Sequence, residues 1–130
     1  MQWLLTFHGE MRWLVMLIAL AVAVRSTVGL LAGSTFRGAD RALMTVFTVL
    51  LDLNLVMGLI LLFSLPGGFP ANRLEHAVTM ILAIATAHSS VMWRRSDDSK
   101  RKFRNNLIVV VVVLALVLTG VLRLRGGWIF

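Results

Sequence analysis

The sequence predicts an all-α membrane protein in which four transmembrane helices form an antiparallel up-down bundle. Of its 130 residues, 58% are hydrophobic, whereas soluble domains hold roughly 45–50%. The apolar residues fall into four runs, and each run reaches or approaches the ~20 residues that a helix needs to cross the hydrocarbon core. The connections between the runs are short, which makes successive helices antiparallel neighbours in a single domain over residues 1–130.

The first two helices are predicted over residues 3–32 and 42–65. Polar residues interrupt both apolar runs: Arg25 lies in the first, and Asp52 and Asn54 lie in the second. Ionisable groups within a membrane-spanning helix are costly, so each of them is a candidate for a functional or structural contact inside the bundle.

The last two helices are predicted over residues 72–93 and 106–123. The connection that contains both prolines separates the third helix from the second. Asn72, followed three residues later by Glu75, forms a pattern typical of a helix N-cap. The fourth run holds five consecutive valines. These β-branched residues do not indicate a strand, because a backbone in lipid must form its hydrogen bonds within the segment.

The basic residues are distributed unevenly between the two ends of the predicted helices. One end holds Arg37, Arg41 and six Lys or Arg residues between positions 94 and 104. The other end holds four arginines: Arg12, Arg73, Arg123 and Arg125. The positive-inside rule therefore places loop 94–104 in the cytoplasm and both termini outside, in the periplasm, of a bacterial cytoplasmic membrane. Four tryptophans lie near predicted helix ends, as in an interfacial aromatic belt: Trp3, Trp13, Trp93 and Trp128.

The composition excludes several kinds of site. The chain has no cysteine, which excludes disulfides, thiolate zinc sites, covalent c-type haem attachment and cysteine nucleophiles. Its formal net charge is +7, and the basic residues flank the apolar runs. We therefore assign this charge to membrane topology and anionic lipid, and expect no nucleic acid as a partner.

Arg25 and Asp52 are expected to form an intramembrane polar pair. Arg25 lies ~7 residues from the cytoplasmic end of the first helix and Asp52 lies ~10 residues from that end of the second, so their depths differ by only ~5 Å at ~1.5 Å per residue. Two adjacent antiparallel helices would bring them together. The pair is either a structural ion pair or part of a proton or ion relay.

His8 and His76 lie near the outer ends of the first and third predicted helices, which run in the same direction. The two imidazoles are therefore expected at a similar depth. Two histidines on different helices of a bundle can serve as the two axial ligands of a b-type haem. Arg12 lies one turn after His8, and Arg73 lies one turn before His76, so that either arginine is placed to pair with haem propionates.

Other interpretations of the two histidines are open. They could be interfacial residues held by hydrogen bonds to Glu10, to Glu75 or to the backbone. They could also form a metal site with these two carboxylates, but the turn of the helix directs Glu10 and Glu75 away from the neighbouring histidines.

Three methionines and a third histidine add further possibilities. Met11, Met16 or Met80 could replace one histidine as an axial ligand of the haem iron. His88 lies near the cytoplasmic end of the third helix and lacks a partner histidine for a second haem. It is expected to form an interhelical hydrogen bond or to relay protons.

Several segments, taken in order along the chain, form a further pattern. Residues 8–15 read HGEMRWLV, residues 36–41 read FRGADR, residues 52–61 read DLNLVMGLIL, and residues 73–76 read RLEH and are followed by Met80. With the basic loop and the last apolar helix, this order resembles a family of small four-helix membrane proteins that is common in Bacteroidetes and related bacteria and is usually named cytochrome B.

The resemblance covers nearly the whole chain and implies that His8 and His76 are the haem ligands of a four-helix bundle. One departure is Asn54, where many members of the family carry glutamine. This departure leaves the polar network around Asp52 open and does not affect the predicted fold.

These observations predict a membrane b-type haem protein or a small electron-transfer subunit, with the haem near the outer face between the first and third helices. A cofactor-free accessory or scaffold subunit of a larger membrane complex is the alternative, and a small ion-coupled carrier is a third. No substrate chemistry is recognisable, so we expect an electron carrier or accessory subunit rather than an enzyme. The expected partners are the lipid bilayer and either a respiratory or photosynthetic complex or further copies of the chain.

Overall fold

A computed structural model describes residues 1–125 as four long helices. Their bounds are Gln2–Ala32 (α1), Gly38–Ser64 (α2), Ala71–His88 (α3) and Ser99–Arg125 (α4), and a 3₁₀ segment, Ser89–Trp93, continues α3. Each helix, with this 3₁₀ segment included in α3, is long and apolar enough to cross a membrane. The predicted all-α four-helix membrane bundle is therefore confirmed. Trp128, which is predicted to lie at the membrane interface, is outside the described residues.

The four helices form a ring in chain order. α1 and α3 each pack against α2 and α4, which places α1 and α3 on one diagonal of the bundle. At one end, Asn72 of α3 donates a hydrogen bond to the Leu124 carbonyl of α4; this is called the terminal end. At the other end, Phe36 donates to Ser99; this is called the basic end because it carries the two basic connections.

α2 begins at Gly38, about one turn before the predicted start at residue 42. Arg37 is the N-cap residue, and Asp40 accepts a hydrogen bond from the backbone N–H of Arg37 at 2.9 Å. α1 ends just before this turn, where Gly33 adopts the left-handed conformation with φ 63°. Hydropathy marks the part of a helix that crosses the membrane, so it does not detect a polar first turn.

α4 begins at Ser99, about two turns before the predicted start at residue 106. Asp98 Oδ1 accepts a hydrogen bond from the backbone N–H of Arg101 at 3.1 Å and so satisfies one of the free donors at the helix N-terminus. Most of the basic residues of the predicted loop 94–104 therefore belong to α4, and the connection itself is limited to residues 94–98.

α3 begins at Ala71, and Pro70 is its N-cap residue, without a side-chain cap. The predicted cap by Asn72 and Glu75 is therefore wrong. Pro70 has φ −64° and ψ 153°, so the proline ring already fixes the direction in which the chain enters the helix. The amide of Asn72 is directed to the carbonyl of Leu124 on α4, 3.4 Å away.

The helices pack through residues spaced three and four apart. On α4, buried residues follow this spacing, which is typical of left-handed helix packing: Phe103, Asn106, Val110, Val113, Val117 and Gly120. Small residues bring the helices close together. The ring of Phe103 lies so close to α1 that a Cβ on Gly29 would be 2.6 Å from its Cε2 atom.

The interior is filled toward the basic end and open toward the terminal end. In the filled part, aliphatic side chains pack around Phe47, which is fully buried; they include Ala19, Val22, Met44, Ala87, Val110 and Val113. In the terminal half, histidines and glycines take the interior positions on the four helices: His8, Gly58, His76 and Gly120. This difference in side-chain size leaves space inside the terminal half.

Candidate functional site

A cavity of about 320 Å³ lies inside the terminal half of the bundle. Its volume is within the range of small-molecule sites, roughly 300–1,000 Å³. All four helices line it, mainly with aliphatic side chains, and six polar side chains are part of the wall: His8, Arg12, Asn54, Arg73, His76 and Arg125. An apolar wall with a few polar groups is the usual composition of a cofactor site.

Two glycines provide the space beside the imidazoles. A Cβ on Gly58 of α2 would lie 2.9 Å from Cε1 of His8. A Cβ on Gly120 of α4 would lie 3.4 Å from Nδ1 of His76 and would also meet the side chain of Met80. Gly58 is therefore required by the position of the His8 ring, whereas Gly120 is required mainly by the close approach of the Met80 side chain and only borders the His76 ring.

His8 and His76 meet across the diagonal. Their ring centroids are 6.3 Å apart, and the two ring planes are nearly perpendicular, at 88°. The structure thus brings together the two histidines that the sequence places at a similar depth. They come from α1 and α3, which do not neighbour each other in the ring of helices, so the contact forms inside the bundle.

The two imidazoles differ in their hydrogen bonds. Nδ1 of His76 lies 3.1 Å from the carbonyl oxygen of Gly120, to which it donates if it carries the proton. That bond leaves Nε2 of His76 as the free nitrogen. Nδ1 of His8 is buried and has no hydrogen-bond partner among the described residues, and the same is true of Oδ1 of Asn54, which lies beside the His8 ring.

The distance between the two imidazoles fits an iron held by two histidines. Metal–nitrogen bonds to imidazole are about 2.0 Å long, so two imidazoles on opposite sides of one ion have ring centres roughly 6 Å apart, close to the distance between His8 and His76. Histidines that bind metals commonly donate their other N–H to a backbone carbonyl, as the Gly120 carbonyl allows for His76. Nδ1 of His8 lies beside Asn54 without a well-formed hydrogen bond, so no strong partner holds this ring away from an iron.

Three arginines line the cavity, Arg73 and Arg125 toward the terminal end and Arg12 one helical turn deeper than His8. Arg12 is 8% exposed, and its guanidinium carbon lies 5.1 Å from the ring centre of Trp13. Arg73 donates to the carbonyls of Pro66 and Gly68 at 3.0 and 3.4 Å, which holds the α2–α3 connection. Arg12 and Arg73 both line the cavity, as their predicted role requires, and Arg125 is a third lining arginine that the sequence analysis did not select.

The other ligand sets considered from the sequence are less well placed. Of the three methionines, Met80 lines the cavity, whereas Met11 and Met16 do not belong to its wall. Residues 1–125 contain no group of three or more His, Asp or Glu side chains that could hold a metal ion, so the site of two histidines and two glutamates is not formed. Glu75 is directed to Arg123, at 3.7 Å.

The predicted pair of Arg25 and Asp52 is wrong. Arg25 forms a two-pronged contact with Asp40, at 2.6 Å from Nε and 3.3 Å from Nη2. α2 starts a turn earlier than predicted, so Asp52 lies about 20 Å along α2 from Gly38, about 6 Å farther than a start at residue 42 implies. The long Arg25 side chain instead extends toward the basic end, as arginines in membrane helices commonly do.

Asp52 pairs with His88. Oδ1 of Asp52 lies 2.7 Å from Nε2 of His88, and both side chains are on the surface of the bundle. The interhelical hydrogen bond expected of His88 is therefore present, and it joins α2 to α3. Leu55 and Ile84, which line the cavity, lie about one turn closer to the terminal end. The Asp52–His88 pair thus lies at the inner limit of the cavity, on the outside of the groove between α2 and α3.

Comparison of the chain with models of protein families, with curated proteins and with solved structures finds no match. The resemblance to the cytochrome B family stays a prediction. The function is therefore argued from the geometry of the cavity.

Sequence reasoning missed the two glycines of the site. Gly58 and Gly120 each interrupt a run of large apolar residues at a position where a membrane helix has no other need for glycine. Such a glycine indicates that another group approaches the backbone closely. The signal was available for both positions, but it identifies the approaching group only when the helix that packs there is known.

Proposed function

We propose that this chain is a b-type haem protein of the bacterial cytoplasmic membrane that serves as a small electron-transfer subunit. His8 and His76 are the axial ligands of the haem iron, and Arg12 and Arg73 bind its propionates. The observation that carries the proposal is the position of the two imidazoles, 6.3 Å apart across a cavity with an apolar wall and arginines at its edge.

Bound haem supplies one-electron oxidation and reduction. The residues of the chain hold and tune it. The Gly120 carbonyl fixes the orientation of the His76 ring, because it engages Nδ1 and leaves Nε2 free to bind iron. The aliphatic wall keeps water away from the iron, and a dry, apolar surrounding is one of the factors that set the reduction potential of a haem.

The arginines compensate the charge of the cofactor. Two propionates bring two negative charges to a membrane-embedded site, where unpaired charges are costly. Arg12 and Arg73 are among the residues that line the cavity, and a guanidinium group pairs with a carboxylate through two parallel hydrogen bonds. This pairing also favours an anionic porphyrin over a neutral ligand of similar size.

The site lies at the terminal end, which the positive-inside rule assigns to the periplasmic side. Haem at that position is suited to exchange electrons with a periplasmic carrier or with a quinol. A single haem near one face does not carry electrons across the whole membrane, so transfer to the other side requires a partner, such as a larger respiratory or photosynthetic complex.

The decisive measurement is the reduced-minus-oxidised visible spectrum of the protein purified in mild detergent. A Soret band and an α-band are expected, and both His8→Ala and His76→Ala should abolish them or convert them to a high-spin form. His88→Ala is the matched control, because His88 also lies on α3 but is bonded to Asp52 outside the cavity, and its spectrum should match that of the unchanged protein.

The same measurement separates the haem protein from a cofactor-free accessory subunit. A subunit without cofactor shows neither band, even after haem is supplied during expression and again to the purified protein. That result would reject the proposal. Loss of the spectrum in His88→Ala alone would contradict the assignment of the ligands.

A further inference from the structure

The Asp52–His88 pair is an ionisable contact on the lipid-facing surface of a membrane protein. The Asp52 side chain is 43% exposed and the His88 side chain is 55% exposed. Asp52 is close to the middle of α2, with 14 residues before it and 12 after it in the helix. The pair is therefore located well inside the span and is turned away from the core of its own bundle.

Ionisable residues at this depth almost always face protein or a water-filled cavity, because hydrocarbon solvates them poorly. The pairing with His88 satisfies only part of the hydrogen-bonding capacity of the two side chains. Oδ2 of Asp52 and Nδ1 of His88 have no hydrogen-bond partner within residues 1–125. One acceptor and one potential donor are thus left side by side on the surface.

This combination is complementary to itself. A two-fold axis along the membrane normal keeps both copies at the same depth, and a two-fold interface places the same patch on each side. With His88 as the imidazolium and Asp52 as the carboxylate, both ring nitrogens donate, Nε2 to Oδ1 of Asp52 in the same copy and Nδ1 to Oδ2 of Asp52 in the other copy. The two pairs then close a ring of four hydrogen bonds.

The apolar residues around the pair have the spacing of a helix-packing surface. On α2, Val49, Asp52, Val56 and Phe63 follow intervals of three, four and seven residues. On α3, exposed residues follow intervals of four and three and end at His88: Leu74, Val78, Ile81, Ala85 and His88. Such intervals place residues on one stripe that packs against a second helix in the left-handed geometry common in membranes.

We infer that the face formed by these two stripes, the α2–α3 face, binds a second copy of this chain in a parallel two-fold dimer, with the two Asp52–His88 pairs joined across the axis. The interface is on the outside of the groove that borders the cavity. It does not use any residue of the haem site, and the dimer does not depend on haem being bound.

Disulfide crosslinking in native membranes tests the dimer, and the absence of cysteine from the chain makes single-cysteine variants unambiguous. Val56→Cys is the test variant, with Val56 56% exposed on the α2–α3 face, and Leu17→Cys is the control, with Leu17 61% exposed on the side of α1 turned away from the core. After mild oxidation, Val56→Cys should migrate as a dimer of the chain on a non-reducing gel, whereas Leu17→Cys should remain monomeric.

The role of the polar pair is tested by adding His88→Leu or Asp52→Leu to Val56→Cys. Either change should reduce the crosslinked fraction at least several-fold, while the helical circular dichroism and the haem spectrum stay as in the parent. Crosslinking that is equal in the parent and both double variants would reject the polar pair as the contact. A monomer, or a crosslink only to a protein of different mass, would overturn the assignment of a second copy to this face.

Discussion

His8 of α1 and His76 of α3 meet across the interior of the bundle, with their ring centroids 6.3 Å apart and their ring planes nearly perpendicular. The contact joins two helices that lie on one diagonal of the ring of four. The His8 ring fits there because Gly58 of α2 leaves room for it, and on α4 Gly120 leaves room for Met80 beside the His76 ring. The geometry of the site therefore depends on residues from all four helices.

Gly58→Ala should weaken haem binding. The added Cβ would lie 2.9 Å from Cε1 of His8, which is too close, so the imidazole must turn or shift away from its present position. We expect the haem content of the purified protein to fall at least several-fold, read as the ratio of Soret to protein absorbance.

Gly38→Ala is the control for this change, because a Cβ at Gly38 has no atom within 4 Å and Gly38 lies at the start of the same helix. Its haem content should equal that of the unchanged protein. Equal haem content in Gly58→Ala would show that the His8 ring is free to move without loss of the cofactor, and would argue against His8 as a ligand.

Arg12→Gln should lower the affinity for haem. Arg12 is buried in the wall of the cavity, and hydrogen bonds between charged partners contribute about 1.5–3 kcal/mol. Loss of about 1.4 kcal/mol corresponds to a tenfold change in an equilibrium constant, so we expect haem to transfer to an excess of an apo-globin roughly tenfold more readily.

Arg123→Gln provides the comparison for Arg12→Gln. Arg123 lies at the same end of the bundle and carries the same charge, but it is on the surface beside Glu75 and does not line the cavity. Its haem transfer should be unchanged. Equal effects of the two substitutions would indicate a general effect of positive charge and not a propionate contact.

The number, type and order of the helices follow from the sequence, because each apolar run is long enough to require a transmembrane helix. The positions at which the helices start do not follow from the sequence. α2 and α4 begin at Gly38 and Ser99, earlier than predicted, and both differences have the same cause. A helix continues into the polar interface for as long as its first turn can be capped, as by Asp40 and Asp98, whereas the hydrophobic signal stops at the edge of the hydrocarbon.

The site was predictable to the extent that it depends on depth along a helix. His8 and His76 lie at nearly the same distance from the starts of two helices with the same direction, six residues after Gln2 and five after Ala71, and simple counting brings them together. Counting fails where a helix start is wrong, and it does not give rotation about the helix axis. Both errors affect Asp52, because α2 begins a turn earlier than predicted and Asp52 is turned to the surface beside His88, so the sequence does not identify Asp40 as the partner of Arg25.

A double-mutant cycle checks the corrected partner of Arg25. The effects of Arg25→Gln and Asp40→Asn on thermal stability in detergent should be strongly non-additive, because either change already removes the contact at 2.6 Å. Asp52 has its own partner on α3, so Arg25→Gln and Asp52→Asn should be additive. Coupling of Arg25 to Asp52 and not to Asp40 would restore the pair that the sequence suggests.

Gly29→Ala should destabilise the bundle without involving the cavity. The new Cβ would lie 2.6 Å from the ring of Phe103, which is 1% exposed and is also packed against Phe36 at 5.1 Å between ring centroids. The ring has little room to move, so overpacking should cost about 1–3 kcal/mol. The measurement is thermal unfolding in detergent followed by circular dichroism, with Gly38→Ala, where the Cβ has open space, as the control. A midpoint equal to that of the control would mean that α1 and α4 separate easily at this point.

The orientation of the bundle is tested with single cysteines at its two ends. Gln2 lies at the terminal end and Lys100 lies at the basic end, in the first turn of α4. The positive-inside rule places the basic end in the cytoplasm, so a thiol reagent that does not cross the inner membrane should label Gln2→Cys in intact spheroplasts and should label Lys100→Cys only after the membrane is opened. The reverse pattern would move the haem site to the cytoplasmic face. Electron exchange with a periplasmic carrier would then be impossible for this site, while its ligands and its cavity would be unaffected.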